Sequence, residues 1–332
     1  MLNLKNIKST ERSQGYMSSI VVPDRNFVRQ IVVSPGFNFY EYACDNVRQL
    51  SDWLLDNGAL LIRNAEFTTD EFAALCDLFG PVTKHSELSS PRTQLSNGVY
   101  TSTDHPANQI IQMHNEQSYL SYWPMVASFM CEIAAREGGC TPIADCRNFD
   151  VDLPLPMVEK LKRHGVTYVR NFGPESSIRW RESYDVESQQ ELEEYCDARG
   201  MRVVWNGAEQ PTVYSDLPAF RPHIDTGVEC FFNNIVVASP HALPVRESSM
   251  LSSIYGDEMK FPINVTYGDE SRITAEDIHT ILNAYERRTF TFDWNAKDVV
   301  IVDNMMTSHG RQAYVGPRKI VVRVNRIHDS RG

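Results

Sequence analysis

The stretch DVVIVDNMMTSHGRQAYVGPRKIVVRVNRI, residues 298–327, decides the fold of this chain. Two apolar, β-branched runs, at 299–302 and 320–324, predict buried strands. Between them His309 opens another strand, and Gly316-Pro317 is a turn signal before the last strand. Because these strands follow one another without an intervening helix, they predict antiparallel pairing rather than a parallel βαβ sheet.

Most of the chain upstream repeats this pattern of short strands separated by turn residues. Further strands are predicted at 99–103 (VYTST), 108–114 (NQIIQMH), 125–135 (MVASFMCEIAA), 140–146 (CTPIADC), 166–172 (VTYVRNF), 201–205 (MRVVW), 211–215 (PTVYS), 229–239 (ECFFNNIVVAS) and 289–294 (TFTFDW). The predicted fold class is therefore mainly β with peripheral helices, arranged as an antiparallel sandwich or barrel.

Helical patterns lie at the start of the chain and between the strands. Residues 41–57 have apolar positions at helical spacing and stop at Gly58. Thr68 and Glu71 form a capping box for a helix that ends at Gly80. Further helices are predicted at 155–164, 187–199 and 275–288, the last with Thr274 as its N-cap. No linker divides the body, so we predict a single domain over 26–332 after an N-terminal arm, 1–25.

Composition excludes several classes of function. The net charge of −11 argues against a nucleic-acid partner and against adsorption to anionic lipid. No apolar run approaches the roughly 20 residues that span a bilayer. The seven cysteines are scattered and contain no C-x-x-C pair, which is typical of core thiols in a reducing compartment. A cytoplasmic location is therefore predicted.

Candidate metal ligands lie at His114-Asn115-Glu116, at the end of a predicted strand. Residues i and i+2 of a strand share a face, so the imidazole and the carboxylate converge. Such a pair alone is more often a surface or capping pair than a metal site. His309, which follows a buried strand, is the best third ligand among the other histidines, and two histidines with one carboxylate are the ligands of non-haem iron(II) oxygenases.

Arg323 is a permanent cation in an otherwise apolar predicted strand, so it requires an anionic partner. If the chain forms a hairpin about Gly316, residues 309 and 323 are cross-strand neighbours on one face. A buried guanidinium is expensive without an anion, and its fork fits a carboxylate. The pattern therefore predicts an iron site that also takes a dicarboxylate: a 2-oxo acid chelating the metal, its far carboxylate on Arg323, and O2 in the remaining position.

A series of motifs supports this interpretation. In chain order they are TSTDHP (101–106), MHNEQSYLSYWP (113–124), REGGCTPIADCR (136–147), ECFFNN (229–234), WNAKDVVIVDN (294–304) and HGRQAYVGPRKIVVRVNR (309–326). With them the chain, from about residue 40 to 327, resembles the taurine dioxygenase-like family of iron(II)/2-oxoglutarate oxygenases, especially the clavaminate synthase and syringomycin-type aspartyl hydroxylase branch.

The resemblance implies a double-stranded β-helix, or jelly roll, with iron held by His114, Glu116 and His309. It further implies that Arg323 and Thr141 hold 2-oxoglutarate, whose decarboxylation to succinate is coupled to attack on a C–H bond. Related halogenases have a small residue in place of the carboxylate ligand, so Glu116 predicts oxygenation instead. The segment 221–234 departs from the H-P-x-T-G-E-x-x-F-N form of the branch, which leaves the substrate open.

The predicted substrate is an amino acid or a derivative of one, free or presented by a carrier protein. Asp225 is a candidate for a substrate cation, and Arg326 for a substrate carboxylate. Arg318, just after the turn, is interpreted as a rim residue rather than a cosubstrate ligand. Hydroxylation is the default reaction, with epoxidation, desaturation and cyclisation as other outcomes. A zinc hydrolase with the same ligands, and a non-catalytic binding protein on this scaffold, are the alternatives.

Overall fold

The computed structural model describes residues 17–23, 25–83, 94–96, 98–102, 105–176 and 179–331. Its strands are β1 (Met17–Val22), β2 (Arg25–Val33), β3 (Ala59–Arg63), β4 (Gln94–Ser96), β5 (Val99–Thr101), β6 (Ile111–His114), β7 (Tyr122–Ile133), β8 (Glu137–Gly138), β9 (Ile143–Asp145), β10 (Val166–Asn171), β11 (Met201–Trp205), β12 (Pro211–Leu217), β13 (Phe220–Pro222), β14 (Glu229–Phe231), β15 (Ile263–Tyr267), β16 (Thr289–Phe290), β17 (Val299–Asp303), β18 (Thr307–Arg311), β19 (Tyr314–Val315) and β20 (Lys319–Asp329). Its α-helices are α1 (Phe39–Asp45), α2 (Val47–Asn57), α3 (Thr69–Asp77), α4 (Leu155–His164), α5 (Trp180–Tyr184), α6 (Gln189–Arg199), α7 (Ile235–Ala238), α8 (Val245–Tyr255) and α9 (Ala275–Arg288).

Two sheets organise the molecule. The major sheet has eight strands in the order β1-β2-β3-β17-β7-β20-β5-β4, and the minor sheet has four in the order β16-β9-β18-β6. Almost all of their pairs are antiparallel; the exception is β2 beside β3. The predicted fold class, a mainly β jelly roll with peripheral helices, is confirmed.

Because the side chains of β20 alternate between its two faces, the strand contributes to a hydrophobic core on each side of the major sheet. Ile320, Val322 and Val324 pack between the two sheets, with Phe129 of β7. Val321, on the opposite face, packs in the cluster that α1, α2 and α3 cover. Successive residues of a strand point to opposite faces, so one strand serves both cores. This alternation also determines which side chains of β20 can face the space between the sheets.

Most of the predicted helices are confirmed, with caps that the sequence indicated. Thr68 accepts a hydrogen bond from the backbone N–H of Glu71, whose carboxylate accepts one in return, so the predicted capping box is present. Thr274 caps α9 in the same way. The predicted helix at 41–57 is divided at Asn46 into α1 and α2.

Two strand predictions are wrong in part. The segment 229–239 forms β14 and then the short helix α7, because Asn233 and Asn234 follow the strand with side-chain and backbone bonds of their own. The segment 289–294 is paired only at Thr289 and Phe290, against β9. Most of the apolar residues of both segments are still buried, which explains why apolar composition alone predicted longer strands.

The predicted hairpin about Gly316 is also wrong. Strand β18, which carries His309, pairs with β6 and β9 of the minor sheet. Strand β20 pairs with β7 and β5 of the major sheet. Residues 312–318 therefore cross from one sheet to the other, with β19 pairing against β8 on the way. His309 and Arg323 are not cross-strand neighbours.

Within the N-terminal 25 residues, Met17–Val22 forms β1 and pairs with β2, while the division into an arm and a single domain stays a prediction. All seven cysteines are free thiols, and all except Cys44 are buried, as expected of core residues. Among the described residues, no helix combines the length and the apolar character that crossing a bilayer requires.

Candidate active site

Three predicted metal ligands meet between the sheets. His309 on β18 is the cross-strand partner of His114 at the end of β6, and their rings lie 4.5 Å apart between centroids. Glu116 lies in the turn after β6, with its Oε1 3.5 Å from His309 Nε2. The ligand atoms of the three side chains all lie within 4.8 Å of one another. Two ligands of one metal are at most about 4.2 Å apart, so small rotations would complete the coordination.

Local contacts fix the orientation of both imidazoles. His114 Nδ1 is 2.8 Å from the carbonyl oxygen of Gln112, which can only accept, so Nδ1 carries the proton and Nε2 the lone pair. The ring of Phe129 meets His309 edge-on, with centroids 4.8 Å apart. Fixing the tautomer and the ring plane in this way is what surrounding residues do in metal centres. The donor set, two imidazoles and one carboxylate, fits iron(II).

Asn304, which the sequence did not single out, holds the ligand turn in place. Its Oδ1 accepts from the backbone N–H of Glu116 at 2.8 Å, and its Nδ2 donates to the carbonyls of Glu116 and Pro124. Asn115 reciprocates by donating to the carbonyls of Asn304 and Thr307. Both asparagines are fully buried. The turn that carries Glu116 and the turn that leads to His309 are therefore one hydrogen-bonded unit.

The turn after β17 has a second support in Asp303. Its Oδ1 accepts from the backbone N–H groups of Met305 and Met306. Its Oδ2 is 2.9 Å from His223 Nε2, and both side chains are almost completely buried. His223 Nδ1 accepts from the backbone N–H groups of Asp225 and Thr226, so Nε2 is protonated and donates to Asp303. His223 thus supports the turn from outside the metal site.

A cavity opens beside the three ligands. Its lining residues are Ser102, Ile111, His114, Glu116, Phe129, Thr141, His309, Gly310, Arg311, Arg318, Ile320 and Val322. Among these described residues the carboxylate and the imidazoles are those of the metal ligands themselves. The remaining walls are apolar on the β7 and β20 side and cationic at Arg311 and Arg318.

Arg318 and Thr141 form a polar group in this cavity. Arg318 donates from Nε to the carbonyl of Gly139 and from Nη2 to Thr141 Oγ1 at 3.4 Å. Burial, and then the neighbouring Arg311, lower the pKa of the Arg318 guanidinium to about 10. No described carboxylate pairs with either arginine. Such a cation needs an anion, and none is supplied by the described part of the chain.

The hydroxyl of Thr141 is positioned to donate. Trp294 Nε1 donates to Thr141 Oγ1 at 3.1 Å, and Arg318 Nη2 is the second donor to the same oxygen. Since a hydroxyl oxygen has two lone pairs and one proton, the Thr141 proton is left for another acceptor. Thr141 is buried at the cavity wall. Together Thr141 and Arg318 fit one carboxylate of a dicarboxylate cosubstrate.

Arg323 lies elsewhere. It is buried on the face of β20 that α3 covers, where it forms an ion pair with Asp77, and it does not line the cavity. The predicted position of Arg323 beside His309 is wrong, because odd-numbered residues of β20 point away from the minor sheet. Arg318, interpreted from the sequence as a rim residue, occupies the cavity. Arg318 precedes β20 and a bulge lies between Lys319 and Ile320, so strand alternation could not place Arg318 in the cavity.

Asp225 and Arg326 contact each other. Arg326 Nη2 donates to Asp225 Oδ1 at 2.8 Å, and this bond lowers the pKa of the Asp225 carboxyl. Neither residue lines the cavity. The structure brings the two candidate substrate residues together as a partly exposed ion pair, away from the cavity that contains the metal ligands.

The fold and the site define a class, that of jelly-roll enzymes with a His–Glu–His metal centre and a cationic cosubstrate pocket. The family described as taurine catabolism dioxygenase TauD, TfdA family matches residues 24–325. The chain belongs to this family. It is therefore an iron(II)- and 2-oxoglutarate-dependent dioxygenase that uses O2, and this part of the sequence-based prediction is confirmed.

Individual relatives agree with the family assignment. The dapdiamide synthesis protein DdaC of Enterobacter agglomerans is 30% identical over 277 residues, which are 82% of this chain and 83% of the relative. A clavaminate synthase-like protein of Arabidopsis thaliana is 27% identical over 290 residues, 82% of each chain. The solved structure of PvcB, an iron- and alpha-ketoglutarate-dependent oxygenase from an isonitrile synthetic pathway, has a TM-score of 0.53 at 16% identity, covering 96% of this chain and 94% of PvcB.

Replacing Asn304 by Ala should weaken metal binding. The change removes the acceptor of the Glu116 N–H and the donor to two buried carbonyls, and each group that stays unsatisfied costs about 1–3 kcal/mol. We expect a lower Fe(II) affinity in anaerobic titrations, together with a lower melting temperature. Asn57→Ala is the matched control, because Asn57 is another buried, hydrogen-bonded asparagine but contacts Asn26 and Arg29 instead. Equal Fe(II) affinities for the two variants would show that Asn304 does not hold the ligand turn.

Replacing Asp225 by Asn should cost stability but not substrate binding. The pKa of Asp225 is lowered in the folded state, so its contribution is present above the unfolded pKa of about 3.9 and is lost as the pH falls through the folded value. For a partly exposed pair we expect at most about 1 kcal/mol at neutral pH. Melting curves of variant and wild type should therefore converge under strongly acidic conditions. A large rise in KM at unchanged stability would instead support a substrate-binding role.

Proposed function

We propose that this enzyme hydroxylates an amino acid or an amino-acid-derived compound in the biosynthesis of a natural product. The observation that carries the proposal is one cavity that joins the His–Glu–His set to Arg318 and Thr141. Two of the similar proteins belong, by their names, to synthetic routes: DdaC to dapdiamide synthesis and PvcB to an isonitrile pathway. The substrate, free or bound to a carrier protein, a cytoplasmic location and the lack of a nucleic-acid partner remain predictions.

In this proposal His114, Glu116 and His309 hold iron(II). Bound iron, 2-oxoglutarate and O2 supply oxidative attack on a C–H bond with release of succinate and CO2. Glu116 fills the third protein ligand position, which favours oxygenation over halogenation. The backbone bonds of Glu116 to Asn304, and the edge contact of His309 with Phe129, keep two of the ligands in place before the metal arrives.

The remaining cavity residues bind and orient the cosubstrate. Arg318 offers its guanidinium, and Thr141 its hydroxyl proton, to the carboxylate of 2-oxoglutarate that is distant from the metal. Ile320, Val322 and Phe129 line the cavity beside them and exclude water from the carbon chain. Exclusion of water strengthens the pairing of Arg318 with a carboxylate, because the local dielectric constant is low.

The zinc hydrolase alternative has less support. A hydrolase needs a general base near the metal-bound water. Among the described cavity residues, the only imidazoles and carboxylate are the proposed metal ligands. A non-catalytic protein would have no need for a complete ligand set together with a cosubstrate cation. The family assignment agrees with this choice.

The reaction class can be tested directly. Anaerobic protein supplied with Fe(II) and 2-oxoglutarate should develop the weak visible charge-transfer band of the chelate. Under air, succinate release should rise with the true substrate, so amino acids and carrier-bound aminoacyl groups are screened and products are identified by mass spectrometry. A protein that shows no band but binds one zinc tightly would refute the proposal in favour of a hydrolase.

The cosubstrate arginine has its own test in Arg318→Leu. Removing one partner of a buried charge pair costs about 2–5 kcal/mol, so 2-oxoglutarate should bind at least about 30-fold more weakly in anaerobic titrations of the charge-transfer band. Fe(II) affinity should be nearly unchanged. Arg323→Leu is the matched control and should reduce stability, by leaving Asp77 unpaired, while 2-oxoglutarate affinity is retained. Arg323→Lys keeps the charge if the leucine variant does not fold. The opposite pattern would assign the cosubstrate to Arg323.

A further inference from the structure

Arg311 joins the two strands that carry the candidate histidine ligands. It follows His309 by two residues on β18 and is 4% exposed. Its guanidinium donates to three backbone carbonyls, those of His105, Pro106 and Gln109, at 3.0, 2.6 and 2.9 Å. These acceptors lie in the segment 105–110, which leads directly into β6 and His114. One buried side chain after the first histidine therefore holds the backbone before the second.

The backbone that follows β18 holds the same segment. The N–H of Tyr314 donates to the carbonyl of Ala107 at 2.8 Å, and the Tyr314 ring lies 5.3 Å from the guanidinium carbon of Arg311. The hydrogen bonds of this guanidinium among the described residues all go to segment 105–110, and its Nε is enclosed by the protein. Carbonyl dipoles and an aromatic face both stabilise a buried guanidinium. The contacts of Arg311 are thus those of a clamp on the backbone.

Strand β6 depends on such support because its own pairing is short. It has four residues, Ile111–His114, and is the edge strand of the minor sheet as described. Two pairs define its register with β18, His309 with His114 and Arg311 with Ile111, and a bulge lies between them. A short edge strand of this kind is weakly fixed by its ladder alone. The three side-chain bonds of Arg311 are therefore a large part of what joins β6 to β18.

The outer side of segment 105–110 is held less firmly. Gln109 Nε2 donates to the carboxylate of Glu247 on α8. No residue of α8 is buried, so this helix offers the segment little fixed packing. Ile111, the first residue of β6, lines the cavity. The inner clamp by Arg311 therefore fixes both a wall of the cavity and the path of the chain to His114.

We propose that Arg311 is a positioning residue, which sets the place of the His114 imidazole relative to His309 before the metal binds. The inference rests on the proposed function, in which both histidines hold iron(II). Residues that orient metal ligands typically contribute about 10- to 100-fold to metal affinity. Loss of the clamp should therefore be visible in metal binding itself, without turnover.

Arg311→Met tests this role, because methionine keeps an apolar stem but has no hydrogen-bond donor. Fe(II) is titrated into anaerobic protein by calorimetry, and Co(II) is the second probe, since its visible absorption depends on coordination geometry. We expect Fe(II) to bind at least about tenfold more weakly, with a changed Co(II) spectrum. Arg311→Lys keeps an ammonium with three donors, so it should recover part of the affinity. The lysine variant also serves if the methionine variant does not fold.

Arg288→Met is the matched control. Arg288 also donates to two backbone carbonyls, those of Arg147 and Asn148, and it does not line the cavity. This variant should have a lower melting temperature, as Arg311→Met should, but should retain the Fe(II) affinity and the Co(II) spectrum of wild type.

Two results would overturn the inference. Equal Fe(II) affinities of Arg311→Met and Arg288→Met would show that the clamp stabilises the fold and does not position His114. Normal Fe(II) binding with weakened 2-oxoglutarate binding in Arg311→Met would show that Arg311 acts on the cosubstrate through its charge. Failure of the proposed function is visible separately in His114→Ala: if this variant binds Fe(II) as tightly as wild type, the ligand set itself is wrong.

Discussion

The hydrogen bonds of Asn304 are the interaction on which the site depends. The side chain joins the turn after β17 to the backbone of Glu116, which lies 188 positions earlier in the chain. Together with the pairing of β6 and β18, this junction fixes the position of the carboxylate ligand relative to the strand that carries His309. The groups are fully buried and mutually satisfied, and in a low-dielectric interior such a network is rigid. Asp303, supported by His223 from a separate loop, fixes the same turn from its other side.

The arginine just before β20 and the arginine within it show how one residue type acquires two roles. Arg323 and Arg318 both bring a guanidinium into or beside the interior of the sandwich. Arg323 meets Asp77 of α3, so its charge is compensated within the folded chain. Arg318 meets a carbonyl and a hydroxyl, and no described carboxylate. Burying a charge without a counterion is costly, so the first arginine belongs to the fold and the second is suited to a ligand.

The electrostatics of the cavity follow from the same reasoning. A metal centre with two arginines and one carboxylate attracts anions, and the two carboxylates of 2-oxoglutarate would neutralise part of its positive charge. The apolar wall from β7 and β20 keeps water out, which makes each ionic contact stronger and each uncompensated charge more expensive.

The sequence by itself determined the strands, the helix caps and the residues of the metal set, because these depend on local patterns and on spacing within short segments. Alternation also divides β20 into two groups of residues, but it does not say which group faces the minor sheet. Only the tertiary structure decided that Arg318 and not Arg323 reaches the cavity, because residues 312–318 cross between sheets instead of closing a hairpin. The contacts of Asn304, and the meeting of Asp225 with Arg326, likewise join distant segments that no local pattern relates.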